Sequence, residues 1–397
     1  MKPGSGRTAR DVFTGRVVRV EIGADGSTRV TPASDAPGTP GPLGLIAPAF
    51  WDIQTNGRWG RSYSDPVLTV DEVVAIVRAQ AGMGTARLCP TLITAPFDAM
   101  RHGAATIASA CEADPAVGRM VVGLHLEGPS ISELDGYRGA HPASAVRGPD
   151  WDELQRLQDA SRGRVVLVTL APERPGSIAF IERATAAGIA IAIGHTAADP
   201  ATIDAAVRAG ARLSTHLGNG IAGTLPRHPN PIWTQAADDR LWASLIADGH
   251  HLDRDVLRVL LRAKGPGRCL LVSDASPLAG LPPGVYGPWE VDPSGRVVVA
   301  GTPYLAGSNR DLGVAVNEAL AAAPELSLAD VLAMATTGPA ALLGRRPPEV
   351  DAPGSCFVLG RFTARRFTIE GTSVDGRWVG AGEGVDAAPM PGHDLDA

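Results

Sequence analysis

The sequence predicts an α/β fold: a (β/α)8 TIM-type barrel with a small β-sandwich domain formed from both termini. Three observations predict it. Between about residues 50 and 275, short apolar runs alternate with stretches whose apolar residues recur at helical spacing. Four of those runs end in residues that carry chemistry, namely Glu127, His195, His216 and Asp274. The two ends of the chain alternate only weakly between apolar and polar and carry hairpin turns.

Residues 1–48 hold the alternating run Arg16–Ile22, the turn Gly23-Ala24-Asp25-Gly26 and Pro/Gly-rich sequence to Leu43. That is too little to bury a core of its own. Strand and helix then alternate, and residues 49–345 are read as the barrel. Its strands are expected at Phe50–Gln54, Ala86–Cys89, Val121–His125, Val165–Leu170, Ile189–Gly194, Arg212–His216, Ala243–Ala247 and Cys269–Ser273. Helices are expected at Val70–Ala81, Phe97–Cys111, Trp151–Ala160, Ser177–Ala187, Pro200–Ala209 and Asp253–Ala263. Asp71-Glu72 in a first turn and Asp199-Pro200 as cap and first helical position mark two of the starts. Asp311–Ala322 and Leu328–Leu343 would close the barrel. A doubly wound sheet is the alternative arrangement. Residues 346–380, with strands at Cys356–Leu359 and Arg366–Thr372 and a turn at Val374–Arg377, return to the small domain; 381–397 read as a disordered tail.

Composition narrows the function. The 397 residues are 44% hydrophobic and 20% charged, which describes a globular protein. A formal net charge of −6 without a basic stripe argues against nucleic acid as a partner. The four cysteines are scattered, form no C-x-x-C pair and suggest a reducing compartment. Residues 1–20 lack the apolar segment of a secretory leader, and no run approaches membrane-spanning length. The expectation is a cytoplasmic protein with no membrane partner.

Gly123–Pro129 is the stretch around which the chemistry is organised. His125 and Glu127, two residues apart at the end of an apolar run, point to the same side of a strand. Buried polar groups there must pair, coordinate or react. Glu127, His195 and His216 supply one carboxylate and two imidazoles, a set suited to a catalytic divalent ion with an open position for water. A structural polar network is the other reading of the same residues. Asp274 is placed to act as the general base, and a helix-capping carboxylate is its plainer reading. Gln54 and Asn56 stand where a binuclear hydrolase would carry two histidines, and amides ligate transition metals poorly, so one ion is expected. Asn219, Arg227, His250 and His251, on loops after the sixth and seventh strands, can read an anion such as phosphate. His141 lies on the long loop after the third strand.

These features resemble the amidohydrolase superfamily and, within it, the N-acetylglucosamine-6-phosphate deacetylase family. The resemblance rests on Ala49–Gly57, Pro90–Thr94, Gly123–Pro129, Thr169–Glu173, Gly194–Thr196, Thr215–Leu217, Ile246–His251, Ser273–Ala275 and Leu305–Ser308, in order from about residue 49 to 343. It implies a hydrolase that acts on a linear amide C–N bond, removing the N-acetyl group of an amino-sugar 6-phosphate to give acetate and the free amine. It implies metal ligation by Glu127, His195 and His216, catalysis by Asp274 with His141 near the acetyl carbonyl, and substrate contacts from Asn219, Gly220, Arg227, His251 and Gln54. The cofactor implied is one divalent metal ion, zinc first and iron second, and the assembly a homodimer with some phosphate contacts across its interface. The chain departs from the family pattern at Gly218-Asn219-Gly220-Ile221, at Arg227-His228-Pro229-Asn230, at His250 and at Ser355-Cys356. The first three departures surround the sugar and phosphate pocket. They leave open deacylation of another N-acyl compound, an unphosphorylated amino sugar or an acyl amino acid. A non-catalytic metal-binding barrel is the further alternative.

Overall fold

A computed structural model describes residues 1–33, 43–347 and 349–385. Eight parallel strands lie side by side in chain order: β1 Phe50–Thr55, β2 Thr85–Ile93, β3 Leu124–Glu127, β4 Val165–Leu170, β5 Ala190–Ile193, β6 Leu213–Ser214, β7 Trp242–Leu245 and β8 Cys269–Leu271. The ring closes just beyond the strand ends. There Asp274 N donates to Gln54 O at 3.0 Å and Asn56 N to Ala275 O at 2.8 Å. Trp51, Ile53, Leu167, Leu213 and Leu270 form one apolar cluster fed by strands all around the ring, joined by Ala340 and Leu342. A larger cluster packs the strands against the helices. The barrel is therefore a filled core, and polar chemistry is displaced to its mouth.

Local chemistry places the helices as expected. Asp150 caps Trp151–Ala160, and Asp199 caps Pro200–Ala209 with proline in the first turn. Thr69 and Glu72 form a capping box at Val70–Ala79. The expected helix Leu328–Leu343 is two helices, Leu328–Ala335 and Thr337–Leu342, broken at Thr336. Pro339 has no N–H for the carbonyl four residues earlier, and a restart puts it in a first turn, where none is needed. Short helices at Pro115–Met120 and Pro231–Ala237 had no counterpart in the sequence reading. The first of these takes up the approach to β3, so that strand runs Leu124–Glu127 and not Val121–His125.

Both termini share one seven-stranded sheet. Its order is 377–380, 366–374, 357–363, 44–48, 5–11, 17–22, 28–32. The segment 44–48 pairs in parallel with 5–11 and antiparallel with 357–363, so the chain ends interleave. A bridge between Ser27 and Arg377 brings the two edges of the sheet together. Asp375, on its last turn, accepts hydrogen bonds from Arg87 and Arg119, each at 2.8 Å, and ties the sheet to the barrel. Residues 381–385 run as turns, with Gly382 N donating to Gly82 O at 2.9 Å. The remainder of the expected tail, 386–397, lies outside the described residues, as does most of the Pro/Gly-rich stretch at 34–42.

The sequence reading also lacked a small sheet beside the barrel. A three-stranded antiparallel meander, 284–286, 289–291 and 297–299, follows β8. It stands beside the barrel mouth, where Trp289 and the segment 303–307 form one wall of a cleft. The signals were present in Gly287-Pro288 and Asp292-Pro293-Ser294-Gly295 as turns and Val297–Val299 as a β-branched run.

Candidate active site

The cleft has a volume of about 510 Å³ and is lined by Glu127, His141, His195, His216, Asn219, Gly220, His251 and Asp274 among others. Most of the expected chemistry therefore converges on one place, from strand ends far apart in sequence. Three of the key residues get there by a common device. His195, His216 and Asp274 each have a left-handed backbone, with φ of 50°, 32° and 47°. A non-glycine residue held there costs about 1–3 kcal/mol, and such strain collects at functional sites. It also ends β5, β6 and β8 before the residues that carry the chemistry, so these strands are shorter than their apolar runs.

His125 and Glu127 part company. Glu127 faces the cleft, whereas His125 is sealed inside the barrel with its Nε2 2.7 Å from Thr169 Oγ1. Burial pushes the His125 imidazole down to about 4, so it is neutral and structural. Around Glu127 three nitrogens meet one oxygen. Gln54 Nε2 donates to Oε1 at 2.9 Å, His216 Nε2 lies 2.8 Å from it and His195 Nε2 3.3 Å. Burial works to raise the Glu127 carboxyl, but hydrogen bonds from His195 and His216 outweigh it and hold the group well below the usual carboxylate range.

The donor set fits a metal ion. His195 Nδ1 lies 2.9 Å from the Tyr137 carbonyl, which can only accept, so this nitrogen carries the proton. In the neutral ring the Nε2 lone pair then faces the Glu127 carboxylate, an arrangement that requires a proton or a cation between them. The buried Nδ1 atoms of His216 and His141 have no hydrogen-bond partner. Ligand atoms of Glu127, His141 and His195 lie within 4.8 Å of one another, and His216 shares the same carboxylate oxygen. Two imidazoles with a carboxylate suit zinc and leave a position open for water.

Asp274 is buried, and its Oδ1 accepts from Asn56 Nδ2 at 2.8 Å and from Gln54 Nε2 at 3.1 Å. Burial, reinforced by the Glu127 charge, raises its pKa to about 6. A carboxylate with that affinity is mostly ionised at neutral pH yet basic enough to accept a proton. Gln54 thus bridges the two carboxylates; it stands behind the cleft wall rather than among the residues that line it. His141 is held down to about 3, first by burial and then by the neighbouring His195, whose ring lies 4.4 Å away.

Toward the outer cleft, Asn219 Nδ2 is buried without a partner, and His251 is fixed by its Nδ1–H donating to Asp248 Oδ2 at 2.8 Å. Gly220 has φ +60°, and a Cβ there would come within 2.8 Å of His195 Nδ1, so the backbone itself approaches the imidazole. Arg227 and His228 are exposed and lie outside the cleft lining, and His250 is likewise not part of it. No arginine or lysine lines the cleft among the described residues.

The profile of the Amidohydrolase family matches residues 45–379. A human N-acetylglucosamine-6-phosphate deacetylase is 36% identical over 312 residues, covering 76% of this chain and 75% of that protein. An N-acetylgalactosamine-6-phosphate deacetylase of Escherichia coli O157:H7 is 32% identical over 302 residues, covering 76% and 78%. Among solved structures, an aspartate-to-alanine mutant of N-acetyl-D-glucosamine-6-phosphate deacetylase from Mycobacterium smegmatis, in complex with N-acetyl-D-glucosamine-6-phosphate, superposes with a TM-score of 0.79. It is 28% identical and covers 94% of this chain and 99% of its own.

Proposed function

The chain belongs to the amidohydrolase family, and from that premise we propose that it removes the N-acetyl group of N-acetylglucosamine 6-phosphate, giving glucosamine 6-phosphate and acetate. Residues 49–345 are the catalytic barrel, and 1–48 with 346–380 the small β domain. Glu127, His195 and His216 hold one divalent ion, zinc in preference to iron. When bound, the ion supplies Lewis acidity toward the acyl oxygen and makes water a nucleophile near neutral pH.

The chain's own residues do the rest. Asp274 takes a proton from the attacking water as oxygen adds to the acetyl carbon. It returns that proton to the nitrogen as the C–N bond breaks, so the amine leaves neutral. The water oxygen, with its second proton, leaves in acetic acid, which gives up that proton to become acetate. Gln54 and Asn56, both donating to Oδ1, hold Asp274 in one orientation through both transfers. His141, neutral in its buried position, directs a ring N–H at the developing oxyanion. Asn219 Nδ2, Gly220 and His251 contact the sugar phosphate from the outer cleft. Arg227 is exposed and does not line its own cleft, and in a homodimer it serves the cleft of the second copy, as the family pattern implies. No helix among the described residues is long and apolar enough to cross a membrane; the proposed site of action is the cytoplasm.

The observation that carries this reading is Asp274, a buried carboxylate held by two amides in the same cleft as the Glu127, His195 and His216 cluster. A metal-binding scaffold has no use for a carboxylate kept basic there. One feature favours a second reading: among the described residues no arginine or lysine lines the cleft, which suits an unphosphorylated N-acyl substrate. The test is acetate release from N-acetylglucosamine 6-phosphate, N-acetylgalactosamine 6-phosphate and N-acetylglucosamine, with metal counted per chain. Preference for the first, with about one metal per chain, supports the assignment. Equal turnover of the unphosphorylated sugar favours the second reading, and no acetate from any of them, with metal bound, removes the amino-sugar substrates and leaves the hydrolase with another N-acyl compound.

A further inference from the structure

We propose that Tyr304 is a positioning residue, acting through Asp135 to hold the loop that carries His141 against the cleft. The proposal rests on the deacetylase reading for its kinetic consequence, and on geometry for its existence. Tyr304 lies on a segment that leaves the meander: Val298 and Leu305 form an antiparallel bridge, and Val299 N donates to Tyr304 O at 2.9 Å. A few residues on, the same segment joins Asp274, with Ser308 N donating to Asp274 O at 2.8 Å and Ser276 N to Ser308 O at 2.8 Å. From this anchored strap the Tyr304 hydroxyl reaches across the cleft mouth and donates to Asp135 Oδ2 at 3.1 Å. Tyr304 and Gly136, next to Asp135, both line the cleft, so the hydrogen bond spans its mouth.

Beyond Asp135 the connection continues to the reacting groups. The other carboxylate oxygen, Oδ1, accepts from Arg138 Nη2 at 3.2 Å, and Arg138 Nη1 donates to the His141 carbonyl at 2.7 Å. Between them, Tyr137 presents the carbonyl that accepts the hydrogen bond from His195 Nδ1–H. Asp135 therefore gathers a tyrosine from one wall and an arginine from the other, and the loop it steadies supplies His141 and fixes the tautomer of His195. Segment 135–141 contains two glycines with positive φ, Gly136 and Gly139, and no helix or strand. Its internal bonds are turn bonds, Arg138 N to Leu134 O at 2.9 Å and Gly139 N to Gly136 O at 3.2 Å. Such a segment has little order of its own, and a side-chain tie from a strap built into the barrel mouth limits the conformations it samples.

The experiment compares Tyr304→Phe, Asp135→Ala, their double variant and Asp135→Asn, which keeps an acceptor for the phenol. Kinetics on N-acetylglucosamine 6-phosphate are read beside amide exchange over 132–141, which needs no substrate. Tyr304→Phe and Asp135→Ala should each lower kcat about threefold to tenfold, the range for loss of one hydrogen bond, with KM and bound metal unchanged. Asp135→Asn, which keeps an acceptor for the phenol and gives up the one that faces Arg138, should be more active than Asp135→Ala. The double variant should be no worse than the poorer single variant, because both break the tie between Tyr304 and Asp135. Exchange over 132–141 should quicken in the same variants. Unchanged exchange, or losses that multiply in the double variant, overturns the proposal. A rise in KM confined to Tyr304→Phe also overturns it, since the phenol would then be a substrate contact. Were the parent protein inactive on all amino sugars, the function would fall, and the exchange data would still decide whether the tie exists.

Discussion

Asp274→Asn should separate activity from stability in opposite directions. The asparagine is nearly isosteric, and its Oδ1 still accepts from Asn56 Nδ2 and Gln54 Nε2, which lie at 2.8 and 3.1 Å. The fold and the Glu127 cluster are thus left in place while the base is removed, and a general base contributes about 10²–10⁴-fold to rate. The stability effect follows from the raised pKa. A carboxyl whose folded value, about 6, lies above its model value of 3.8 binds its proton more tightly when folded. Stability from this group is complete below the lower value, declines as pH rises between the two, and above the higher value the full penalty is present. The difference corresponds to roughly 3 kcal/mol. In metal-free protein, Asp274→Asn should therefore be more stable than the parent at pH 8 by an amount of that order, with the gap closing toward pH 4. Urea melts of chelator-treated protein across pH 4–8, with acetate release from the metal-loaded forms, read both effects. An asparagine variant that keeps a tenth of parental turnover, or shows no gain in stability at pH 8, would refute the reasoning.

Other outcomes follow from the same geometry. Glu127→Ala removes the oxygen shared by Gln54, His195 and His216, and bound metal should fall well below one per chain, with turnover lost and not restored by moderate excess metal. Gln54→Ala deletes a donor to the charged form of Asp274. The acid limb of the kcat/KM profile should consequently move to higher pH by about one unit; an unmoved limb would show that the amide does not tune the base. Arg227→Ala should raise KM for N-acetylglucosamine 6-phosphate at least about tenfold, as loss of a charge-assisted contact predicts, and leave N-acetylglucosamine untouched. Equal effects on both sugars would remove Arg227 from phosphate binding.

How much of the site was legible depended on how local its determinants are. Runs such as Ile189–Gly194 and Cys269–Ser273 announced strands, and the residues just past them announced chemistry, because a barrel offers polar side chains a place only at its ends. Periodicity could not tell which of His125 and Glu127 reaches the cleft. Two residues apart on one strand, they share a direction, but His125 sits deeper and meets Thr169 on the adjacent strand β4. Nor could it show that Gln54 holds the two carboxylates, since Glu127 comes to it from β3, two strands along the ring, and Asp274 from the end of β8, where the ring closes on β1.

The sequence by itself determined the alternation of strands and helices, the capped start at Asp199 and the set of residues available for catalysis, because propensity, capping and period act within a few residues. Only the tertiary structure decided the left-handed backbones at His195, His216 and Asp274, the exposure of Arg227 outside the cleft lining, the placement of the meander beside the cleft and the tie from Tyr304 to Asp135. Each of these depends on what a closed ring of strands places opposite a residue, and the energies that hold them come from neighbours distant in the chain.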